Sequence, residues 1–366
     1  MGAKSLFQRL LGRPRADAGE ASTIPIAQST LAPGAAHGAA GPATLADAGL
    51  KGYELSAEIG RGAMAVVYKA TQLATGRQVA IKRLALQREF APEDLQDVRD
   101  RFMREARAAG QLHHPEILEV VDAGQDGADA WIAFEYVLGR DLASFTRPEQ
   151  LLPVAEVLQI GARLARALAY AHSHGVVHRD IKPANVMLDR VNGSLKLMDF
   201  GIARIADGSR TRTGLVLGTP SFMSPEQLAG LKVDGRSDLY SLGVLLYQLV
   251  CGRLPHHGDS MARLMYQIAN EAPPDIRRFR PDLPEALALV LALALEKRPE
   301  LRYQDGEQMA RDLDTVVQML TGDAPGPIGL DADVTQPAFA QTMRLSPKEA
   351  GQNSPSTDSE VPPASS

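Results

Sequence analysis

Four polar side chains crowd two short stretches of this chain: His178-Arg179-Asp180-Ile181-Lys182-Pro183-Ala184-Asn185 and, shortly after, Asp199-Phe200-Gly201. Asp180 offers a carboxylate to orient an acceptor hydroxyl, and Lys182 a cation for a moving phosphoryl group. Asn185 and Asp199 offer hard oxygen ligands of the kind Mg²⁺ prefers. These are the parts that phosphoryl transfer requires. A lone His-Arg-Asp says little. The full string in register with a later Asp-Phe-Gly is hard to explain by stability, because buried unpaired charges are costly.

Upstream lie the pieces that could hold a phosphate donor. In Gly60-Arg61-Gly62-Ala63-Met64-Ala65-Val66-Val67, glycines at a tight strand–strand turn let backbone N–H groups approach phosphate oxygens. For the glycine pair alone an ordinary hairpin is the better reading. A dinucleotide site would need a helix after the glycines, whereas a β-like run follows them. Lys82 ends the apolar run Val79-Ala80-Ile81-Lys82, placed to meet α- and β-phosphates as a point charge. A carboxylate must then fix it. Glu105 on the following helix is the candidate, with Glu89, Glu93 and Asp94 as nearby competitors.

The elements that position these groups follow from periodicity. Tyr53 to Arg83 alternates in short β-like runs parted by glycine turns, a helix is predicted around Asp94 to Leu112, and another strand at Ala130 to Phe134. After Leu138 helices dominate: Val154 to His174 is amphipathic, and Asp238 to Val250 is apolar nearly all round, as in a buried helix. The prediction is an α+β fold of two lobes, strand-rich then helix-rich, with a cleft between them. The 366 residues are 45% apolar and carry a net charge of −5, which leaves ample core and gives no electrostatic argument for nucleic acid. Cys251 is the only cysteine, so no disulfide forms within one chain; it reads as a buried thiol and fits a reducing cytoplasm. The longest apolar run, Ala286 to Leu295, falls well short of the roughly 20 residues of a spanning helix, so no membrane span is expected.

Together these motifs resemble the protein kinase superfamily, and most of all the eukaryotic-like (Hanks-type) serine/threonine kinases of bacteria. The glycine loop, Val-Ala-Ile-Lys, the catalytic loop, Asp-Phe-Gly and Gly218-Thr219-Pro220-Ser221-Phe222-Met223-Ser224-Pro225-Glu226 appear in the family's order. The resemblance spans about residues 53–320. It implies a catalytic domain at 51–322 (small lobe 51–137, large lobe 138–322), between a disordered arm at 1–50 and a disordered tail at 323–366. It also implies that Gly60, Gly62, Val67 and Ala80 line an ATP site, and that Lys82 pairs with Glu105. Glu135-Tyr136-Val137 would hydrogen-bond adenine with Phe134 behind it, and Asp141 would meet the ribose. Asp180, Lys182, Asn185 and Asp199 would form the catalytic and Mg²⁺ (or Mn²⁺) constellation. Asp238 would brace the catalytic loop, and Glu226 would pair with Arg302. Two departures are Ala65 in place of the loop's third glycine and Ser224 before Pro-Glu.

Lys182-Pro183 and Thr219 favour serine or threonine as acceptor, in protein substrates and in the chain itself. The alternatives are a pseudokinase scaffold, opposed by the surviving catalytic set, and a small-molecule phosphotransferase, opposed by the Gly218–Glu226 platform. Phosphorylation at Thr211 or Thr213, received by Arg179, is the expected switch; ordinary loop threonines and an Arg179 paired to a carboxylate are the alternative. Thr23, Thr30, Thr335 and Thr342 could serve a phosphothreonine-reading partner domain or sit in inert linkers. Residues Ser5 to Arg13 read as a solvated basic arm or a short docking helix.

Overall fold

The computed structural model describes residues 50–62, 65–84, 93–126, 129–200 and 220–322. The first part is an antiparallel sheet of β1 (Tyr53–Arg61), β2 (Ala65–Gln72), β3 (Gln78–Leu84), β4 (Val120–Asp126) and β5 (Asp129–Glu135), in the order β1-β2-β3-β5-β4. Helix α1 (Leu95–Ala109) packs onto it through Val98, Phe102 and Ala106, whose spacing makes one helical face.

Strand alternation sorts the sheet's two faces. Val79 and Ile81 are fully buried with Tyr53, Ala70, Trp131 and Ala133 on one side. Ala80 and Lys82 therefore point to the other, where the register sets Val67 opposite Lys82 and Phe134 opposite Ala80. Three of the expected nucleotide-lining residues share that face because of a period of two.

The helical part follows as predicted. A small sheet of β6 (Arg140–Asp141), β7 (Val186–Asp189) and β8 (Ser194–Leu197) is joined by α2 (Val154–Ser173), α3 (Pro225–Leu228), α4 (Gly235–Cys251), α5 (Met261–Asn270), α6 (Glu285–Ala294) and α7 (Gly306–Thr321). Helix α4 is buried on every side, and α2 packs against both α4 and α7. At the α2–α7 crossing a Cβ on Gly306 would stand 2.1 Å from the Ala165 carbonyl oxygen, so the backbones can approach that closely only at glycine. The α+β expectation of a β-rich small lobe and a helical large lobe is met. Among the described residues no helix is long and apolar enough to cross a membrane.

One contact between a buried histidine and a half-buried lysine had no sequence signal. His256 is 5% exposed and its Nε2 lies 3.0 Å from Lys297 Nζ, so the ammonium donates to a neutral imidazole. Burial, then the Lys297 charge, push His256 from its ordinary 6.5 down to about 4. Burial, then Arg302, bring Lys297 down to about 8. Between pH 6.5 and 4 the unfolded His256 takes up a proton that the folded one refuses, so stability falls as pH drops through that window and levels off below it. The loss is on the order of 3 kcal/mol. His256→Gln keeps an acceptor for Lys297 without titrating, and should flatten the decline of melting temperature between pH 6.5 and 4 relative to wild type. Parallel slopes would show that another group sets the dependence.

Candidate active site

The loop between α2 and β7 is built around the carboxylate of Asp238, delivered from the first turn of α4 and fully buried. Its Oδ1 accepts from Arg179 N–H at 2.6 Å, and its Oδ2 from His178 N–H at 2.8 Å and from His172 Nε2 at 2.8 Å. An unpaired buried carboxylate would be costly; here three donors satisfy it. The bracing expected of Asp238 is thus present as geometry.

His178 is held at both ring nitrogens. Nδ1 lies 3.2 Å from Asp180 N–H and so accepts; Nε2 lies 2.7 Å from the Met198 carbonyl and so donates. One imidazole thereby ties Asp180 to the residue before Asp199. Arg179 and Asp199 adopt φ of 67° and 62°, the only non-glycine positive values among the described residues. Such backbone costs roughly 1–3 kcal/mol and persists where the surroundings over-determine it.

The charged groups converge around Asp180. Its Oδ2 accepts from Lys182 Nζ at 2.7 Å and from Asn185 Nδ2 at 2.9 Å, and its backbone carbonyl also accepts from Asn185 Nδ2, at 2.8 Å. Asp180 Oδ1 has no hydrogen-bond partner among the described residues. With its amide nitrogen spent on Asp180, Asn185 is left with Oδ1 for a cation.

Lys82 reaches across from β3 to Asp199, Nζ to Oδ1 at 2.7 Å. Burial would lift the Asp199 carboxyl, but Lys82, with His178 and Lys182 adding, holds it below the usual carboxylate value. The sequence reading pairs Lys82 with Glu105, whereas the ion pair recorded for Lys82 is with Asp199. Glu105 stands half-buried on α1, within the small lobe.

The remaining expected residues fall around the same cleft. Gly60 is the penultimate residue of β1, and Gly62 N–H donates to the Ala65 carbonyl at the start of β2 at 2.8 Å. Glu135 ends β5, its side chain turned to Lys196 (2.6 Å) and to Glu119 N–H (2.9 Å). The chain then runs through Val137 to Gly139, where a Cβ would meet the Leu188 carbonyl oxygen at 2.6 Å. Asp141 Oδ1 caps the following turn, accepting from Ser144 N–H at 3.2 Å and its hydroxyl at 3.1 Å.

Behind the loop, Glu226 and Arg302 form a buried bidentate pair at 2.6 and 2.7 Å. Thr211, Thr213 and Thr219 lie outside the described residues, as do Thr23, Thr30, Thr335 and Thr342. Sequence reasoning gave no role to His172, His178 or Gln227. A second histidine shortly before His178 was the only signal for His172, and spacing alone does not separate it from a surface residue.

The profile described as "Protein kinase domain" matches residues 53–312. The chain is 41% identical over 281 residues to "Serine/threonine-protein kinase PknB" of Mycolicibacterium smegmatis, covering 75% of this chain and 44% of that protein. It is 41% identical over 276 residues to "Serine/threonine-protein kinase pkn3" of Myxococcus xanthus, covering 72% and 50%. The crystal structure of the Mycobacterium tuberculosis PknI kinase domain superposes with a TM-score of 0.58 at 34% identity, covering 73% of this chain and 96% of that one. The chain spans half or less of the length of the curated relatives it matches.

Proposed function

This chain belongs to the protein kinase family, and from that premise we propose that it transfers the γ-phosphoryl group of ATP to serine and threonine hydroxyls of proteins, its own chain included. The observation that carries the reading is the Asp180 carboxylate, held through Oδ2 by Lys182 and Asn185 with Oδ1 left over. An acceptor hydroxyl at Oδ1 would be oriented for attack and could pass its proton there, while Lys182 meets the transferring phosphoryl group.

ATP would lie under the sheet face that carries Val67, Ala80 and Lys82, its phosphates beneath Gly60 and Gly62. Adenine would bond to the backbone of Glu135 and Val137, and the ribose to Asp141. A divalent cation fits the donors present. Asn185 Oδ1 and Asp199 are two hard oxygen donors, and among the described residues no cluster of three or more carboxylate, histidine or cysteine side chains offers a full cage. That suits Mg²⁺ or Mn²⁺, which take one or two side-chain oxygens and fill the rest with phosphates and water. When bound, the cation would neutralise charge on the phosphates. Lys82 would then exchange Asp199 for the α- and β-phosphates. Incubation of the full chain with ATP and Mg²⁺ or Mn²⁺, followed by mass spectrometric mapping, should find phosphoserine or phosphothreonine. Turnover of an aminoglycoside with no protein phosphorylation would instead favour a small-molecule phosphotransferase.

The switch belongs to the same proposal. Among the described residues Arg179 Nε is buried without a hydrogen-bond partner, so this edge of the guanidinium beside Asp180 is short of an acceptor. A phosphate on Thr211 or Thr213 would supply one, bidentate and charged. The Thr211→Ala/Thr213→Ala variant should lose most activity toward an added protein substrate and keep the wild-type melting temperature. Equal rates for this variant and the phosphorylated wild type would exclude the switch. Phosphothreonines in the terminal segments would offer a docking signal to a phosphothreonine-reading partner domain.

A further inference from the structure

Gln227 follows the ion-paired Glu226 in α3, and both ends of its side-chain amide are committed. Oε1 accepts from Ser224 N–H at 3.0 Å, and Nε2 donates to the Arg179 carbonyl at 2.9 Å. The orientation is set by the partners: a backbone N–H only donates and a carbonyl only accepts, so a flipped amide would make two repulsive contacts. Gln227 N–H in turn donates to Ser224 Oγ at 3.3 Å, completing a reciprocal capping box.

The Arg179 carbonyl belongs to the peptide that joins Arg179 to Asp180. That residue sits at φ 67°, where a non-glycine backbone needs outside support. Asp238 holds its N–H from the α4 side, and Gln227 holds its C=O from the α3 side. The second bond is the only hydrogen bond recorded between the Ser224–Leu228 segment and the catalytic loop among the described residues.

We propose that Gln227 is a positioning residue for phosphoryl transfer. Its amide ties the end of the substrate-receiving segment to the peptide plane that carries Asp180, so that the Asp180 carboxylate is aimed only when that segment is seated. The inference rests on the reading of Asp180 as the carboxylate that orients the acceptor hydroxyl. Glutamate commonly fills the same place in a capping box, because that role needs only an acceptor. The bond to Arg179 needs a donor, which ionised glutamate lacks. The two roles therefore separate in one substitution.

The test uses the full chain and its Gln227→Glu and Gln227→Leu variants, with kcat and the KM for ATP measured on a protein substrate at neutral pH, alongside melting temperature. Gln227→Glu keeps the capping acceptor and should stay folded at the assay temperature, losing about 10- to 100-fold in kcat with an unchanged KM for ATP. Gln227→Leu, lacking donor and acceptor, should melt lower than the wild type and lose kcat as well. A Gln227→Glu kcat equal to wild type, or a loss that appears in the KM for ATP and not in kcat, overturns the inference. A wild type active in this assay beside such a variant overturns it alone, whereas an inactive wild type removes the functional reading as well.

Discussion

Lys82→Met and Asp180→Asn are each expected to remove nearly all phosphotransfer while leaving the melting temperature close to that of the wild type. Both side chains end in the cleft and not in a core. Lys82 contacts Asp199, and Asp180 contacts Lys182 and the buried Asn185; the four charged groups are half-buried. Removing one electrostatic stabiliser from such a site costs about 10²–10³ in rate or more. The two variants should fail differently. Lys82→Met loses a contact to bound phosphates and should weaken ATP binding as well as the rate. Asp180→Asn should bind ATP as tightly as wild type, because Asp180 faces the acceptor. Rates on a protein substrate, nucleotide titrations and thermal melts check this, and wild-type turnover in either variant would contradict the assignment.

The largest expected effect on stability is at Arg302. Its guanidinium is fully buried, and every nitrogen is used: two on Glu226, with further bonds to the carbonyls of Glu296, Lys297 and Arg236 and the Tyr240 ring 4.9 Å away. Ser237 also donates its hydroxyl to Glu226. Arg302→Met would strand a buried carboxylate and three carbonyls, at a cost of about 3–5 kcal/mol. That corresponds to a fall in melting temperature of roughly 6–20 °C. Burial would raise the Glu226 carboxyl, but the bonds from Arg302 and Ser237 outweigh it and hold it low. Its contribution is therefore whole above the ordinary carboxylate range and fades as pH falls through the depressed value. The gap between wild type and Arg302→Met should close in acid. A gap of under about 1 kcal/mol at neutral pH would place the pair among weak surface bridges.

Legibility in the sequence tracked how local each cause is. Val67 and Ala80 were named by resemblance, and strand alternation and register set them on one face with Lys82; the all-round apolar pattern marked α4 as buried. Asp238 and the Glu226–Arg302 pair were named by resemblance and then found as hydrogen bonds at the expected places. The partner of Lys82 was not legible. Helical periodicity puts Glu105 on α1, but which carboxylate meets a strand lysine depends on how α1 and the Asp199 loop sit against the sheet. His172, Gln227 and the His256–Lys297 pair escaped for a related reason. Each makes its contact to a residue remote in the chain, and the local pattern carries no sign of that. Nothing local to Gln227 marks its bond to Arg179.

The central claim is that Asp180 and its neighbours move the terminal phosphoryl group of ATP onto a hydroxyl. Incubating the full chain and a protein acceptor with γ-labelled or α-labelled ATP, then identifying the labelled amino acid, tests it most directly. The account predicts label from the γ position alone, on serine or threonine, and none with Asp180→Asn. Nucleotide binding without any labelled protein, or label confined to tyrosine, would contradict it.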